Sequence, residues 1–465
     1  MFIGLDLGTS GVRALLVDGQ GVPAAVADVP LDVSRPHPGW SEQNPRDWIT
    51  ACATALGQLD LSGVQGIAVA GHMHGAVLIG EDDAPLRPCI LWNDTRAAAE
   101  AAALDTDAAR DISGTIVFPG FTAPKLAWVA NNEPDIFSAT RRVVLPKDYV
   151  VHWLTGHWTT EMSDASGTAW LDTGARAWSD TLLEAGGITR AQMPSLHEGT
   201  DVVGRARAET GLPKGCKVIA GAADNAAAAC GAGVLGEGDG FVSLGTSGVV
   251  LLGRDGYAPS PTTAVHTFCH ALPGRWYQMG VTLACTDSLN WLARITGQTP
   301  QALTEGLVAG VPQEPQFFPY LSGERTPHND ADIRGGFVGL DVRNGPQDMA
   351  RAVLEGTSLA LMHSLSALGG GASRLLAIGG GTASDAWLQT LANALGVPLD
   401  VPEDGAFGAA LGAARLALCG ATGTAPEHVM TRPPIARHIL PEHQDAWADA
   451  RARFTLAYPK LKAFT

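Results

Sequence analysis

Two short segments carry the residues best suited to phosphate chemistry. Leu7-Gly8-Thr9-Ser10-Gly11-Val12 recurs unchanged as Leu244-Gly245-Thr246-Ser247-Gly248-Val249, 237 residues later in a chain of 465. Glycines leave backbone N–H groups unshielded and the two hydroxyls add donors, a combination that cradles a polyphosphate. One such segment alone reads as an ordinary hairpin turn; a pair half the chain apart reads as two grips on one nucleotide. The copies differ in charge: Asp6 aligns with Ser243, and Arg13 with Val250. A carboxylate at the end of the first strand suits Mg²⁺, directly or through water, and an arginine there suits phosphate. The competing role for Asp6 is a hairpin cap, costly for an acid in so apolar a strand.

Three further segments hold candidates. In Gly221-Ala222-Ala223-Asp224-Asn225 an Ala-rich run follows, so Asp224 is most simply an N-cap; the alternative is a general base kept ionised by the helix dipole. Gly379-Gly380-Gly381-Thr382 lies between an apolar run and a helix starting near Ser384 or Asp385, a turn that lets a planar ligand or phosphate approach the backbone. It lacks the GxGxxG spacing of a dinucleotide site. In Gly71-His72-Met73-His74-Gly75 the two histidines at i, i+2 fall on one face of a strand, but no third ligand has a metal-site spacing. Hydrogen bonding to a small polar substrate or a structural use is the better reading. Trp92, in Leu91-Trp92-Asn93-Asp94, has a polar setting suited to a sugar face.

The elements that must position these residues follow from periodicity. Apolar runs flank each repeated turn, at Phe2–Leu7 and Val12–Asp18 and at Gly240–Leu244 and Val249–Leu252, so each copy is a β-hairpin. Two halves opening on one hairpin suggest a duplication, with segments 1–237 and 238–465 facing each other across a cleft. Short strands at Gly66–Ala70, Val143–Pro146, Val218–Ala220 and Leu375–Ile378 alternate with helical patterns at Asp47–Leu56, Pro346–Leu368 and Asp385–Leu395. That alternation predicts α/β domains, and the hairpins make their sheets mixed. A last helix is expected near Ala446–Ala457.

Composition narrows the function. Hydrophobic residues make up 46% and charged ones 17%, enough for large cores, and the net charge of −16 opposes nucleic acid or an anionic membrane as partner. No apolar run is long enough for a membrane span, and the N-terminus does not read as a signal peptide. The seven cysteines form no CxxC pair, so they read as reduced thiols of a cytoplasmic protein. Neither a GxxxxGK[ST] loop nor protein-kinase VAIK and HRD signatures occur. Glycine is in excess, 56 of 465, and marks tight turns and close approaches to a ligand.

These segments together resemble the FGGY family of carbohydrate kinases, in the actin-like/hexokinase ATPase superfamily. The likeness is carried by Ser34-Arg35-Pro36-His37-Pro38, Trp40-Ser41-Glu42-Gln43, Leu91-Trp92-Asn93-Asp94, the stretch from Pro119 to Leu126, Leu145-Pro146-Lys147-Asp148-Tyr149, the stretch from Tyr320 to Asn329 and that from Ala350 to Gly356. It spans nearly the whole chain, weakest after about residue 420, and is strongest to members that phosphorylate D-xylulose. The resemblance implies two ribonuclease H-like domains with mixed sheets flanking a central cleft, with ATP and Mg²⁺ bound there. It implies Asp224 as catalytic base, overriding the N-cap reading, and Asp6 at the metal. Met73, His74, Trp92, Asp224 and Asn225 then meet the sugar. Gly8, Thr9, Ser10, Gly11, Arg13, Gly245, Thr246, Ser247, Gly380 and Gly381 meet ATP. The chain departs from the family pattern at His72, usually glutamine, at Ala222 and Ala223, usually glycines, and at Thr382-Ala383.

The expected activity is transfer of the γ-phosphoryl group of ATP to D-xylulose, in a homodimer. The rivals are a kinase of D-ribulose, L-xylulose, a deoxy-ketose or a polyol, and, from other classes, an actin-like ATPase or a sugar-binding regulator. Sugar-stimulated ADP release separates the kinase from the last two.

Overall fold

The first strand, Phe2–Gly8, shows how the fold is built. Ile3, Leu5 and Leu7 point to one side, into a core with Trp48 and Ala55 of the helix Pro45–Gly57. Phe2, Gly4 and Asp6 point to the other. The computed structural model describes residues 1–403 and 408–464. Its first large sheet orders the strands Val202–Arg205, Lys217–Ala223, Gly66–Gly71, Phe2–Gly8, Gly11–Val17 and Pro23–Pro30. Its second orders His266–Cys269, Trp276–Thr282, Gly248–Arg254, Gly240–Leu244, Leu375–Ile378, Leu399–Pro402 and Ile435–Ile439. Each has an antiparallel hairpin extended on one side by antiparallel strands, one in the first sheet and two in the second, and on the other by two parallel strands and a final antiparallel one. The mixed sheets expected from the hairpins are present, and the repeated strand order is that of a duplication.

The two halves are not cleanly separate. Helix Gly408–Thr422, late in the chain, packs on the first sheet and along helix Asp224–Ala232. A Cβ on Gly4 would lie 2.1 Å from the Ala410 carbonyl oxygen, and one on Gly412 would lie 1.7 Å from that of Ala227. Part of the glycine excess therefore serves helix-to-sheet and helix-to-helix approach rather than ligand binding. The second sheet packs on helix Pro346–Ala367, with Trp387 and Trp447 completing that core. All seven cysteines are buried and free. Among the described residues, no helix is long and apolar enough to cross a membrane.

The predicted elements recur with modest changes of extent. Val143–Pro146 shortens to the strand Arg142–Val144, because Pro146 opens a helix whose Asp148 carboxylate accepts the Leu145 N–H. The last helix is longer than expected, Gln444–Lys462.

Candidate active site

The repeated hexapeptide folds into two different turns. In the first copy Asp6 pairs with Arg13 and Gly8 with Gly11, leaving a two-residue loop, Thr9-Ser10. In the second, Leu244 pairs with Gly248 and Ser243 with Val249, leaving a three-residue loop, Gly245-Thr246-Ser247. The surroundings account for the difference. The Thr9 carbonyl accepts from Gln43 Nε2 at 2.8 Å and the Ser10 carbonyl from the Leu31 amide at 2.9 Å. In the second loop, the Gly245 carbonyl accepts from the Thr286 amide at 2.9 Å and its hydroxyl at 2.8 Å, while the Thr246 carbonyl accepts from the Cys285 amide at 2.9 Å. The start of helix Thr286–Thr296 thus draws out the longer loop.

Asp224 stands at the opening of helix Asp224–Ala232, one residue beyond the N-cap position, which Ala223 occupies. The N-cap reading is therefore corrected: Asp224 is the first helical residue, and Oδ1 accepts from the Asn225 amide at 2.7 Å and from Asn225 Nδ2 at 3.0 Å. An irregularity in the strand before it falls between Ile219 and Ala222, at Gly221, whose φ of 84° favours glycine. A Cβ there would sit 2.0 Å from the Val69 carbonyl oxygen. Behind the strand end, Ser163 Oγ accepts from the Ala223 amide at 2.9 Å and donates to the Glu161 carboxylate. Lys147, Asp148, Glu161 and Asp164 are all buried in this layer.

Burial and then the facing Asp6 push the Asp224 carboxyl up to about 7. Burial raises Asp6 to about 6, with Arg13 opposing. Two carboxylates that repel each other favour a divalent cation nearby. Among the described residues, no group of three or more metal-ligating side chains occurs, so such a cation would draw its remaining ligands from phosphate and water, as Mg²⁺ does. Arg13 is placed beside Asp28, with Nε to Oδ1 at 2.7 Å.

A cavity of about 530 Å³ joins the two halves. Asp224, Asn225, Met73, His74 and Trp92 line it from the first half, and Ser247, His266 and Arg325 from the second. The expectation that His72 and His74 share a strand face does not hold. The strand ends at Gly71, and His74 takes φ 72°, its carbonyl held by Lys125 Nζ at 2.9 Å and the Thr122 hydroxyl at 3.2 Å. His72 turns away, donating from Nδ1 to the Leu7 carbonyl at 2.9 Å and lying against Trp48. His74 Nδ1 donates to the Gly167 carbonyl at 2.7 Å and its ring stacks on Phe121. Burial lowers His74 to about 3, so the ring is neutral and Nε2 is an acceptor. Lys125 is lowered by burial to about 7. Trp92 is 46% exposed and donates from Nε1 to the Thr9 hydroxyl at 3.0 Å, linking the cavity wall to the first turn.

Gly380 and Gly381 lie elsewhere, in the 3-10 turn Gly380–Ala383, and line a separate open cleft of about 870 Å³ with Thr286, Asn290 and Ser384. No atom lies within 4 Å of a Cβ built on Gly380, so the backbone there is open. The Thr382 hydroxyl donates to the Gly379 carbonyl at 2.8 Å, closing the turn. Thr286 borders this cleft and holds Gly245, while Ser247 borders the other cavity. The second turn therefore separates the two spaces. Arg325, His266 and Lys125 were not singled out as site residues from sequence. Lys125 had a signal of its own, a lysine on an otherwise apolar helix face.

The N-terminal domain model of the FGGY family of carbohydrate kinases matches residues 1–231, and its C-terminal domain model matches residues 240–421. The chain belongs to the FGGY family of carbohydrate kinases. Among relatives, it is 43% identical to the xylulose kinase of Escherichia coli strain K12, with 99% of each chain covered. It is 39% identical to that of Bacillus subtilis strain 168, over 90% of this chain and 88% of that one. A structure described as a xyloylose kinase from Brucella ovis is 52% identical, with a TM-score of 0.97 and full coverage of both chains. A Plasmodium falciparum glycerol kinase with ADP, 18% identical, shares the fold at a TM-score of 0.87, covering 100% of this chain and 98% of that one. Membership of this kinase family implies use of ATP, typically with a divalent metal, and a small sugar substrate.

Proposed function

We propose that the chain phosphorylates D-xylulose at O5 with ATP, Asp224 acting as general base. The carrying observation is the single cavity that sets Asp224 and Asn225 beside Met73 and His74 on one side and Ser247 on the other. The substrate class comes from the xylulose kinases it resembles over 84–99% of its length. Asn225 keeps the Asp224 carboxylate oriented, His74 Nε2 accepts from a sugar hydroxyl, and Trp92 covers one face. The open cleft at Gly380 and Gly381 suits the adenosine, and the two turns, through Gly8, Thr9, Ser10 and Gly11 and through Gly245, Thr246 and Ser247, suit the phosphates between.

In the reaction the O5–Pγ bond forms as the bond from Pγ to the bridging oxygen of ADP breaks. Asp224 takes the O5 proton. A loose phosphoryl-transfer transition state asks more for alignment than for a strong base, which a carboxylate can satisfy. Asp6 would hold a Mg²⁺ ion, directly or through water, and the ion would supply charge neutralisation at the phosphates. Arg13, paired across the first hairpin with Asp6 and beside Asp28, suits the charge of the phosphates. The buried thiols fit a cytoplasmic enzyme. The test is ADP release across D-xylulose, D-ribulose, L-xylulose and xylitol, with the product's phosphate located by NMR. D-xylulose should give the highest kcat/KM and a 5-phosphate; sugar-independent hydrolysis alone would overturn the reading.

A further inference from the structure

Two charged residues of the cavity have no task in the proposed reaction: Asp94, which is paired with Arg96, and Arg325. Its loop is fixed on every side: the Thr326 hydroxyl donates to the Ala264 carbonyl at 3.0 Å and accepts from the Val281 amide at 3.0 Å. The neighbouring Glu324 carboxylate accepts through Oε1 from the amides of Leu283 at 3.0 Å and Arg325 at 2.7 Å, while its buried Oε2 has no hydrogen-bond partner among the described residues. Asp330, farther along, is tied to Tyr458 at 2.6 Å and Lys462 at 2.7 Å of the last helix. The guanidinium itself makes no hydrogen bond and no ion pair with any described residue; its central carbon lies 5.2 Å from the Phe118 ring centre. The loop thus presents a planar set of donors to a cavity, with no hydrogen-bond acceptor for them among the described residues, although the Glu324 charge lies near enough to act on the guanidinium.

Arg325 lines the cavity over the Phe118 ring, and its charge reaches His74 and His266 and helps hold both rings neutral. A 2-ketopentose closes into a furanose only through O5. A substrate whose O5 is free for phosphorylation is therefore open-chain, and its far end carries the C2 carbonyl and the C1 hydroxyl. A carbonyl oxygen only accepts, and a guanidinium only donates, through two parallel N–H groups.

We infer that Arg325 is a specificity-determining residue that donates hydrogen bonds to the C2 carbonyl oxygen of an open-chain ketose, selecting ketoses over polyols of equal length. The inference rests on the proposed reading of the cavity as a pentulose site. A hydrogen bond to a charged donor contributes about 1.5–3 kcal/mol, roughly 10- to 100-fold. A contact made equally to substrate and transition state appears in KM more than in kcat.

The experiment compares kcat/KM for D-xylulose and xylitol in the wild type, Arg325→Met and Arg325→Lys, with KM for ATP and thermal melting alongside. In Arg325→Met the ketose-to-polyol ratio should fall by about 10- to 100-fold, mainly through the ketose KM, with Arg325→Lys between. An equal fall for both sugars, an unmoved ratio, or a rise in KM for ATP instead of the sugar would overturn the inference. If Arg325→Met does not fold, Arg325→Lys decides by the same ratio. Calorimetric binding of the two sugars without ATP gives the comparison independently of turnover. A wild type that phosphorylates neither sugar would therefore sink the proposed function while still testing Arg325.

Discussion

The two Leu-Gly-Thr-Ser-Gly-Val segments are one sequence in two environments, and their differences locate the chemistry. The first closes in a two-residue loop with Asp6 opposite Arg13, and its Thr9 hydroxyl meets Trp92 of the cavity wall. The second closes in a three-residue loop with Ser243 opposite Val249, and its carbonyls are held by residues 285–286 beside the open cleft. Sequence identity fixed what the turns can donate. Their partners decided that one is built around a charge and the other around a neighbouring helix. A duplicated fold has thus become asymmetric at the place where its halves meet.

The largest effect should come from giving the first hairpin the second's residue. Asp6→Ser should lower kcat by about 100-fold and raise the Mg²⁺ concentration for half-maximal rate, measured by metal titration at saturating ATP. An unchanged titration would remove Asp6 from the metal site and erase the charge asymmetry.

A sharper probe uses pH. The Asp224 carboxyl, pushed up to about 7 by burial and by Asp6, must be ionised to accept a proton. With both substrates below saturation, kcat/KM should therefore fall as pH drops through about 7, because protonation removes the base. In Asp6→Asn the like charge is gone, so the Asp224 pKa drops and the acid limb moves to lower pH. A limb that stays in place would show that Asp6 does not face the base.

Smaller effects should separate the two turns' supports. Thr286→Val removes the hydroxyl that holds Gly245, and should raise KM for ATP by roughly 2- to 10-fold while the sugar KM moves less. Trp92→Phe removes the bond to Thr9 and should shift the sugar KM by a few-fold, the converse pattern. Identical patterns in the two variants would contradict the division of labour.

The hairpins were legible because a strand-turn-strand needs only local residues, and the parallel strands because their apolar runs are short and bounded. Helix Gly408–Thr422 shows why its placement was not: it is rich in Ala and Gly on several faces, so no stripe points to the sheet it covers. Asp224 was visible as the start of a helix, but the Asp6 carboxylate that raises its pKa is 218 positions away in the sequence. The histidine pair misled because strand periodicity holds only to Gly71, after which Lys125 and Thr122 hold the His74 backbone in a turn that spacing cannot announce. Arg325 sits on a loop without periodicity, where only the fold shows that its guanidinium has no hydrogen-bond acceptor among the described residues.

The general-base assignment is tested most directly by kcat for Asp224→Ala with D-xylulose, beside calorimetric binding of the sugar. Loss of a positioned base predicts a kcat lower by about 10²- to 10⁴-fold with D-xylulose still bound. Turnover near the wild-type rate would contradict the account.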